Sequence, residues 1–255
     1  MAHALSEGGL EGRSAIVTGA AGGIGAAIVQ RLLSDGASVT AVDLDTGSLS
    51  EAFGEAVDQG RLMPFPCDLS VSDRREAIVP AALERFGSVD VLINNAARIV
   101  RTDIRETSEA EWDALVAVNL KAAFFLSQRA AQGMHRRGWG RIVNLSSQAG
   151  HTGGAVDCPI YALTKGGINT MTRSFARAFA ASGVTVNAVA PGIVMTDMIA
   201  KTMSTDRVSE ITEQIPIGRV TEAAEIAAAV AYLCSDDAAS ITGHVLDING
   251  GMLMR

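Results

Sequence analysis

Short apolar runs alternate with longer helical segments along almost the whole chain, and this alternation restricts the possible folds more than any other feature. The first run, S-A-I-V-T at Ser14–Thr18, is β-branched and is followed by helical sequence, which indicates a buried parallel strand. Later runs repeat the pattern. The predicted strands are Ser14–Thr18, Ala37–Val42, Leu62–Pro66, Val89–Ile93, Arg141–Leu145, Val184–Ala190 and His244–Ile248.

Helical segments separate these strands, so the connections are crossovers and the strands run parallel. No repeat, low-complexity tract or linker interrupts the alternation. The sequence therefore predicts an α/β fold in one domain over residues 1–255, a doubly wound parallel sheet of about seven strands with helices on both faces. The predicted helices are 26–36, Gly47–Val57, Asp73–Phe86, Glu109–Met134, a helix carrying Tyr161 and running to about Ala181, and Ala223–Leu233.

Composition and charge exclude several classes of protein. Hydrophobic residues make up 48% and charged residues 19%, which argues against disorder, and a net charge of −7 without a Lys/Arg cluster argues against nucleic acid. Met1–Arg13 lacks the apolar core of a signal peptide, and the apolar run Ile226–Cys234 is too short to cross a membrane. Three scattered cysteines and four scattered histidines indicate neither disulfides nor a metal site. We expect a soluble, cytoplasmic protein.

A glycine-rich turn, T-G-A-A-G-G-I-G at 18–25, follows the first strand and opens a helix. Gly19, Gly23 and Gly25 have the spacing G-x3-G-x-G, which differs from the commoner G-x-G-x-x-G of dinucleotide sites. Strand, glycine turn and helix together aim backbone N–H groups and a positive helix end at a pyrophosphate. The alternative is a turn that is merely tight.

Asp43 follows the second strand, 18 residues after Gly25, close to the spacing expected for a carboxylate that binds the adenosine ribose. The alternative is that Asp43 caps the predicted helix Gly47–Val57. Because the glycines and the spacing occur together, ribose binding is the favoured interpretation.

Tyr161 and Lys165 lie four residues apart on a predicted helix, and so on one face of it. An ammonium held beside a phenol favours the phenolate, and the pKa of an unperturbed phenol is near ~10. Tyr161 is therefore a candidate general base. Ser146 and Ser147, at the end of the fifth strand, are candidates to hold a substrate oxygen.

Seven short motifs, in order, resemble those of the short-chain dehydrogenases/reductases over essentially the whole chain. They are T-G-A-A-G-G-I-G at 18–25, D-L at 68–69, N-N-A-A at 94–97, N at 119, L-S-S at 145–147, Y-A-L-T-K at 161–165 and P-G-I-V-M-T at 191–196. The resemblance implies a Rossmann-type sheet of seven strands. It also implies reversible hydride transfer between a nicotinamide and an alcohol or carbonyl carbon.

The resemblance gives four residues catalytic roles. Tyr161 is similar to the family's general acid/base, and Lys165 to the residue that acidifies it and binds the nicotinamide ribose. Asn119 resembles the residue that kinks its helix and holds a water relaying protons toward the lysine. The family serine usually stands 13 residues before the tyrosine, where this chain has Gln148. Ser147 is assigned instead, on the assumption of one extra loop residue, with Ser146 as the alternative.

The resemblance also implies the cofactor contacts. Two family positions differ here: Ala97 stands where glycine is more common, and Asn249 where an acid is usual. The implied cofactor-binding residues are Gly19, Gly23, Ile24, Gly25, Asp43, Asp68, Leu69, Asn95, Ala96, Tyr161, Lys165, Pro191, Gly192, Val194 and Thr196.

Three further groups have no firm role in the sequence. His151 and Cys158 lie between the serine and the tyrosine, either as ordinary loop residues or in contact with substrate. The resemblance implies a substrate lid around 196–215. The methionines in and beside this segment either line an adaptable apolar pocket, which their flexible side chains suit, or fill the core. The methionines are Met195, Met198 and Met203. Arg98, Arg101 and Arg105 form a basic group after the fourth strand, which is interpreted as a solvated face.

The sequence thus predicts an NAD-dependent oxidoreductase acting on a secondary alcohol or ketone, without nucleic acid or membrane partners. NAD is favoured because Asp43 would repel the phosphate of NADP and because Ala20, Ala21 and Gly22 supply no cation. The alternatives are an NADPH-linked carbonyl or acyl-thioester reductase and a non-catalytic dinucleotide-binding regulator. A homotetramer is expected from the family and from the small apolar residues of Ala223–Leu233.

Overall fold

The computed structural model describes residues 9–196 and 205–255, apart from the side chains of 205–208. Its strands are β1 (Ser14–Thr18), β2 (Ser38–Asp43), β3 (Leu62–Pro66), β4 (Val91–Asn94), β5 (Gly140–Leu145), β6 (Val184–Pro191), β7 (Val194–Met195), β8 (Thr221–Glu222) and β9 (Val245–Ile248). Seven of them form one parallel sheet in the order β3-β2-β1-β4-β5-β6-β9, and β7 pairs with β8 separately. The predicted seven-stranded parallel sheet is confirmed.

Helices connect the strands and cover both faces of the sheet. They are α1 (Gly23–Ser34), α2 (Gly47–Asp58), α3 (Ser72–Glu76), α4 (Ile78–Phe86), α5 (Glu109–Val116), a π-helical segment (Ala117–Ala122), α6 (Ala123–Arg137), α7 (Ala149–Thr152), α8 (Pro159–Phe179), α9 (Thr205–Thr212) and α10 (Ala223–Cys234). Among the described residues no helix is both long and apolar enough to cross a membrane.

Two apolar cores lie on opposite faces of the sheet. One joins β1 and β2 to α1, α2 and α10, and the other joins the sheet to α4, α6 and α8. In the first core Ile226 and Val230 of α10 are fully buried with Ile28 of α1. The side of α10 that carries Ile226 and Val230 therefore packs within its own chain, and the expected subunit interface stays a prediction.

Two of the predicted helices are interrupted in the structure. The segment predicted as Asp73–Phe86 divides into α3 and α4 at Ala77, just before Pro80, whose ring nitrogen cannot donate to the carbonyl four residues earlier. The segment predicted as Glu109–Met134 is interrupted by the π-helical segment around Asn119 and continues to Arg137. Hydrophobic periodicity does not report either interruption.

The segment after β5 contains the one-turn helix α7. Gly150 lets this turn touch α8, because a Cβ on Gly150 would lie 2.7 Å from the carbonyl carbon of Lys165. Gly153 then ends the turn with φ = 86°. Gly150 therefore serves the close packing of α7 against α8.

The order of the strands reverses between β1 and β4, which creates a crevice at the carboxyl ends of the strands. The segments that follow β1, β4, β5 and β6 all reach this edge. They carry the glycine turn and the N-N-A-A, L-S-S and P-G motifs. Residues 197–204 of the predicted lid, with Met198 and Met203, lie outside the described residues.

Candidate active site

Tyr161 and Lys165 lie in the first two turns of α8, which begins at Pro159. Proline is favoured at this position because its fixed φ suits the helix and no N–H is needed there. The Lys165 ammonium nitrogen lies 5.6 Å from the centre of the Tyr161 ring. It also donates to the Leu145 carbonyl oxygen at 2.5 Å, at the end of β5. The predicted shared helix face therefore brings the phenol and the amine together beside the crevice.

Burial acts on both groups against their charged forms. It lowers the pKa of Lys165, which is 3% exposed, from 10.5 to about 8. Burial also raises the pKa of Tyr161, against a smaller lowering by a hydrogen bond to Ser147. In the protein without a cofactor, desolvation of the phenol thus outweighs the interaction with Ser147, and the predicted acidification of Tyr161 by Lys165 stays a prediction.

The two candidate serines point to different partners. Ser147 is the side chain that lowers the pKa of the Tyr161 phenol, and its Oγ accepts from the backbone N–H of Ala149 at 3.1 Å. Ser146 is 4% exposed and donates instead to Asn169 Oδ1 at 2.6 Å and to the Lys165 carbonyl oxygen at 3.2 Å. The structure thus brings Ser147, and not Ser146, to the phenol.

Gln148 stands 13 residues before the tyrosine but does not take the serine's place. Its backbone N–H donates to the Pro191 carbonyl oxygen at 2.9 Å, and Gln148 precedes the first residue of α7. The assumption of one extra residue in the loop before the tyrosine stays a prediction.

Asn119 lies in the π-helical segment and is 2% exposed. Its Oδ1 accepts from the Arg98 backbone N–H at 2.8 Å, and its Nδ2 donates to the Arg98 carbonyl oxygen at 2.9 Å. Nδ2 also lies 3.3 Å from Thr164 Oγ1, on the residue before Lys165. Asn119 thus ties the segment after β4 to α8. Its predicted role in a water relay stays a prediction.

The glycine turn after β1 is shaped for an anion. Gly19 and Gly23 have positive φ, and a Cβ on Gly25 would lie 1.8 Å from the Gly19 carbonyl oxygen, so a side chain there is excluded. No side chain caps the start of α1, its first turn holds no acid, and a Cβ on Gly22 would meet nothing within 4 Å. Ile24 lies in this first turn. Open N–H groups at a positive helix end fit a dinucleotide pyrophosphate.

Asp43 ends β2 beside this turn. Its Oδ2 accepts from the Ala21 backbone N–H at 2.8 Å and its Oδ1 from the Leu44 N–H at 2.7 Å. Helix α2 begins only at Gly47, and Thr46 is the residue before it. The alternative that Asp43 caps α2 is therefore wrong, and the carboxylate belongs to the glycine turn.

Asn95 and Ala96 tie the segment after β4 to the glycine turn. The Asn95 side-chain amide donates to the carbonyl oxygens of Thr18 at 2.9 Å and Gly19 at 2.8 Å. Thr18 Oγ1 accepts from the backbone N–H groups of Asn95 at 3.0 Å and Ala96 at 3.1 Å. The Asn95 amide thus holds the turn, and the predicted cofactor contacts of Asn95 and Ala96 stay predictions. Ala97 is exposed.

Asp68 and Leu69 follow β3, on the other side of β2. Asp68 Oδ1 accepts from the backbone N–H of Ser70 at 2.9 Å and from its hydroxyl at 2.7 Å. These hydrogen bonds lower the pKa of the Asp68 carboxyl. Leu69 is buried in the core. The predicted cofactor contacts of both residues stay predictions.

The segment after β6 also lies beside the glycine turn. The backbone N–H of Gly192 donates to the Ile248 carbonyl oxygen at 3.0 Å, which anchors the segment on β9. Val194 lies in β7. A Cβ on Gly23 would lie 3.2 Å from Thr196 Cγ2. Residues 191–196 and the turn therefore border the same crevice.

The residues without a firm role are mostly structural. Cys158 precedes α8 and is 6% exposed, and its pKa is raised by burial. Arg101 pairs with Asp157 at 2.8 Å and Arg105 with Asp103 at 2.6 Å, so these two arginines have acidic partners. Asn249 also has a structural role. Asn249 is 5% exposed and holds the last turn through Gly251 and Leu253.

Sequence reasoning missed Asn169, and it left His151 as an ordinary loop residue or a substrate contact. His151 lies in α7, 3.5 Å from Asn169 on one side and 3.5 Å from Asp247 on the other. Asn169 lies on the buried face of α8, about two turns after Tyr161, and it contacts Ser146 only because the fold brings α8 against the end of β5. A spacing pattern in the sequence does not report such a contact. Within the described part of the chain, no cluster of three or more His, Cys, Asp or Glu is arranged to hold a metal.

Comparison with known proteins agrees with this geometry. Residues 19–253 match a family described as enoyl-(acyl carrier protein) reductase. The chain is 39% identical over 245 residues to the 3-oxoacyl-[acyl-carrier-protein] reductase FabG of Vibrio cholerae, covering 96% of this chain and 99% of that protein. It is 37% identical over 244 residues to the FabG protein of Staphylococcus aureus, covering 95% of this chain and 98% of that one.

A solved structure gives the same result. A short-chain dehydrogenase/reductase from Brucella melitensis, described as glucose/ribitol dehydrogenase, superposes with a TM-score of 0.89 at 33% identity, covering 98% of this chain and 100% of that one. The family model, the relatives and the fold agree with one another. The protein belongs to the short-chain dehydrogenases/reductases and is an oxidoreductase.

Proposed function

We propose that the protein reduces 3-oxoacyl thioesters to 3-hydroxyacyl thioesters, with NADH as the preferred hydride donor and Tyr161 as the general acid. The observation that carries the chemistry is the approach of the Ser147 hydroxyl to Tyr161 beside the buried Lys165. Ser147 follows β5 at the same edge of the sheet as the glycine turn after β1.

The side chains of the chain handle the proton. Bound nicotinamide would supply or accept the hydride. Tyr161 gives a proton to the carbonyl oxygen during reduction and removes it during oxidation. Ser147 Oγ, held by the Ala149 N–H, orients that oxygen. With a pKa of about 8, Lys165 is mostly protonated at neutral pH and holds a positive charge under the phenol.

The substrate class rests on the relatives. The two FabG proteins are named as reductases of 3-oxoacyl groups on acyl carrier protein, and each aligns with nearly the whole chain. These names favour an acyl-thioester reductase, which is one of the alternatives in the sequence analysis, over the alcohol dehydrogenase of the main prediction. Reduction of the ketone in a 3-oxoacyl thioester requires a proton donor, as does the reduction of any other ketone.

The preference for NADH rests on Asp43. Its carboxylate adjoins the glycine turn through the Ala21 N–H, where it can accept from the ribose hydroxyls and would repel a 2′-phosphate. The NADPH-linked alternative shares the proposed substrate class but must overcome this repulsion. A non-catalytic regulator would not need the Ser147–Tyr161 contact.

The test is an assay of the purified protein on acetoacetyl-CoA and longer 3-oxoacyl thioesters, following the loss of absorbance of the reduced nicotinamide. Simple ketones and secondary alcohols are assayed in parallel, each with NADH and NADPH. We expect higher kcat/KM for thioesters and for NADH. Turnover restricted to simple alcohols would contradict the substrate class, and equal use of NADPH would contradict the cofactor. The homotetramer and cytoplasmic location stay predictions, and light scattering tests the first.

A further inference from the structure

A chain of polar side chains runs behind the catalytic serine, from the C-terminal end of the protein to α8. Its members are Asp247 on β9, His151 on α7, Asn169 on α8 and Ser146 after β5. The sequence separates Ser146 from Asp247 by about a hundred residues, but the fold places the four groups in line. No step of the reaction proposed above uses them.

The hydrogen bonds give each member a direction. The Ser146 hydroxyl donates to Asn169 Oδ1 at 2.6 Å, so the Asn169 NH₂ group faces the other way, 3.5 Å from His151 Nδ1. Because the amide group can only donate, Nδ1 must accept, and the ring proton must be on Nε2. His151 is therefore held in the Nε2–H tautomer.

The other ring nitrogen faces a carboxylate. His151 Nε2 lies 3.5 Å from Asp247 Oδ1, and both atoms are buried without a hydrogen bond to another group among the described residues. Arg255 holds the second oxygen, Oδ2, at 2.9 Å. Asp247 is thus fixed from behind, and its free oxygen is available to the Nε2–H of His151.

The histidine belongs to the same turn as the serine hydroxyl that meets Tyr161. The His151 backbone N–H donates to the Gln148 carbonyl oxygen at 3.0 Å, and the Ala149 N–H donates to Ser147 Oγ at 3.1 Å. A displacement of the His151 ring would move this turn, and the turn carries Ser147. The ring therefore sets where the serine hydroxyl lies.

We propose that His151, held between Asp247 and Asn169, is a positioning residue that keeps Ser147 against Tyr161 and releases it when the imidazole gains a second proton. This proposal rests on the proposed function of Ser147. A proton on Nδ1 would face the NH₂ group of Asn169, whose amide is held in this orientation by the 2.6 Å hydrogen bond from Ser146 to its oxygen. Two donors then oppose each other and the ring must move.

The charges around the ring act in both directions. Asp247 on β9 attracts an imidazolium, whereas Arg255 at the C-terminus and Arg173 on α8 repel it. Burial is the largest influence and, with the two arginines, lowers the pKa of His151 below its usual 6.5. The neutral tautomer therefore predominates at neutral pH, and the charged form arises only in acid.

The experiment compares wild-type enzyme with His151→Ala, His151→Gln and, as a matched control, His135→Gln, which removes an exposed histidine at the end of α6. The turnover of a 3-oxoacyl thioester with saturating NADH is measured from about pH 5 to about pH 8. We expect His151→Ala to lower kcat about tenfold or more at neutral pH, with the dissociation constant of NADH unchanged, because a misplaced group costs rate and not cofactor affinity. His151→Gln should recover most of kcat and lose the acid decline that wild type and His135→Gln show.

Nitrogen-15 NMR of histidine-labelled protein gives a result that does not depend on activity. We expect one ring in the Nε2–H tautomer at neutral pH, absent from His151→Gln. An Nδ1–H or charged ring, an unchanged kcat in His151→Ala, or an acid decline retained by His151→Gln would each overturn the proposal. If Tyr161→Phe abolishes turnover while the His151 variants change nothing, only the positioning role fails. If Tyr161→Phe stays active, the proposed function fails.

Discussion

The Asp43 carboxylate accepts a hydrogen bond from the Ala21 backbone N–H at 2.8 Å, which joins the end of β2 to the glycine turn after β1. A negative charge therefore stands where the adenosine end of a dinucleotide would pass. Ala20, Ala21 and Gly22 bring no cation to balance it. Attraction to ribose hydroxyls and repulsion of a phosphate act in the same direction, as discrimination requires.

Replacing Asp43 by Ala should erode the preference for NADH over NADPH by about tenfold or more in kcat/KM, since about 1.4 kcal/mol of lost repulsion gives that factor. The matched control is Asp45→Ala, which removes an equal charge two residues away on an exposed loop. Steady-state assays with both cofactors measure the ratio. An unchanged ratio in Asp43→Ala would show that the carboxylate serves only the turn.

Tyr161→Phe should reduce kcat about a thousandfold, because it removes the group that exchanges a proton with the substrate oxygen and leaves the ring in place. NADH binding, followed by fluorescence, should stay within about twofold, a change of only ~0.4 kcal/mol. Tyr232→Phe is the control, since this second tyrosine is exposed on α10. Substantial turnover by Tyr161→Phe would remove the phenol from the mechanism.

The two neighbouring serines should separate in their effects. Ser147→Ala should lower kcat about a hundredfold through loss of the hydroxyl that meets Tyr161. Ser146→Ala should have a smaller effect on kcat but lower the free energy of unfolding by about 1 kcal/mol, because Ser146 is buried and hydrogen-bonded to Asn169. Turnover assays and denaturant unfolding of both variants give the comparison. The reverse order in kcat would return the catalytic role to Ser146.

Lys165 should be needed for activity and costly for stability. Its pKa is about 8 in the folded protein against 10.5 in the unfolded chain, so protonation favours unfolding at every pH below about 8. The penalty diminishes as pH rises through the range from 8 to 10.5, where the folded protein loses its proton first. At neutral pH it amounts to about 3 kcal/mol at most.

Lys165→Met should therefore abolish turnover and yet raise the free energy of unfolding at neutral pH, with a gain that shrinks toward pH 10. Lys121→Met, at an exposed position, is the control. Denaturant titrations at the two pH values measure the gain. A variant that is less stable than wild type at neutral pH would show that the bond from Lys165 to the Leu145 carbonyl outweighs the cost of burial.

The sequence by itself determined the sheet and the pairing of the chemical groups along the helix. Ser14–Thr18 and Leu62–Pro66 are strands at their predicted bounds, because a short apolar run between two helices is buried as a strand of a parallel sheet. Tyr161 and Lys165 share a helix face because the helical repeat is a local property. The glycine turn and Asp43 were likewise found from spacing.

Only the tertiary structure decided what depends on contacts between distant segments. It assigned Ser147 to Tyr161 and Ser146 to Asn169, although the two serines are neighbours in sequence. It also showed that burial raises the pKa of Tyr161, since desolvation depends on everything that packs around the ring and not on the lysine four residues away. The line from Asp247 through His151 to Asn169 exists only because β9, α7 and α8 meet, and no local pattern encodes that meeting.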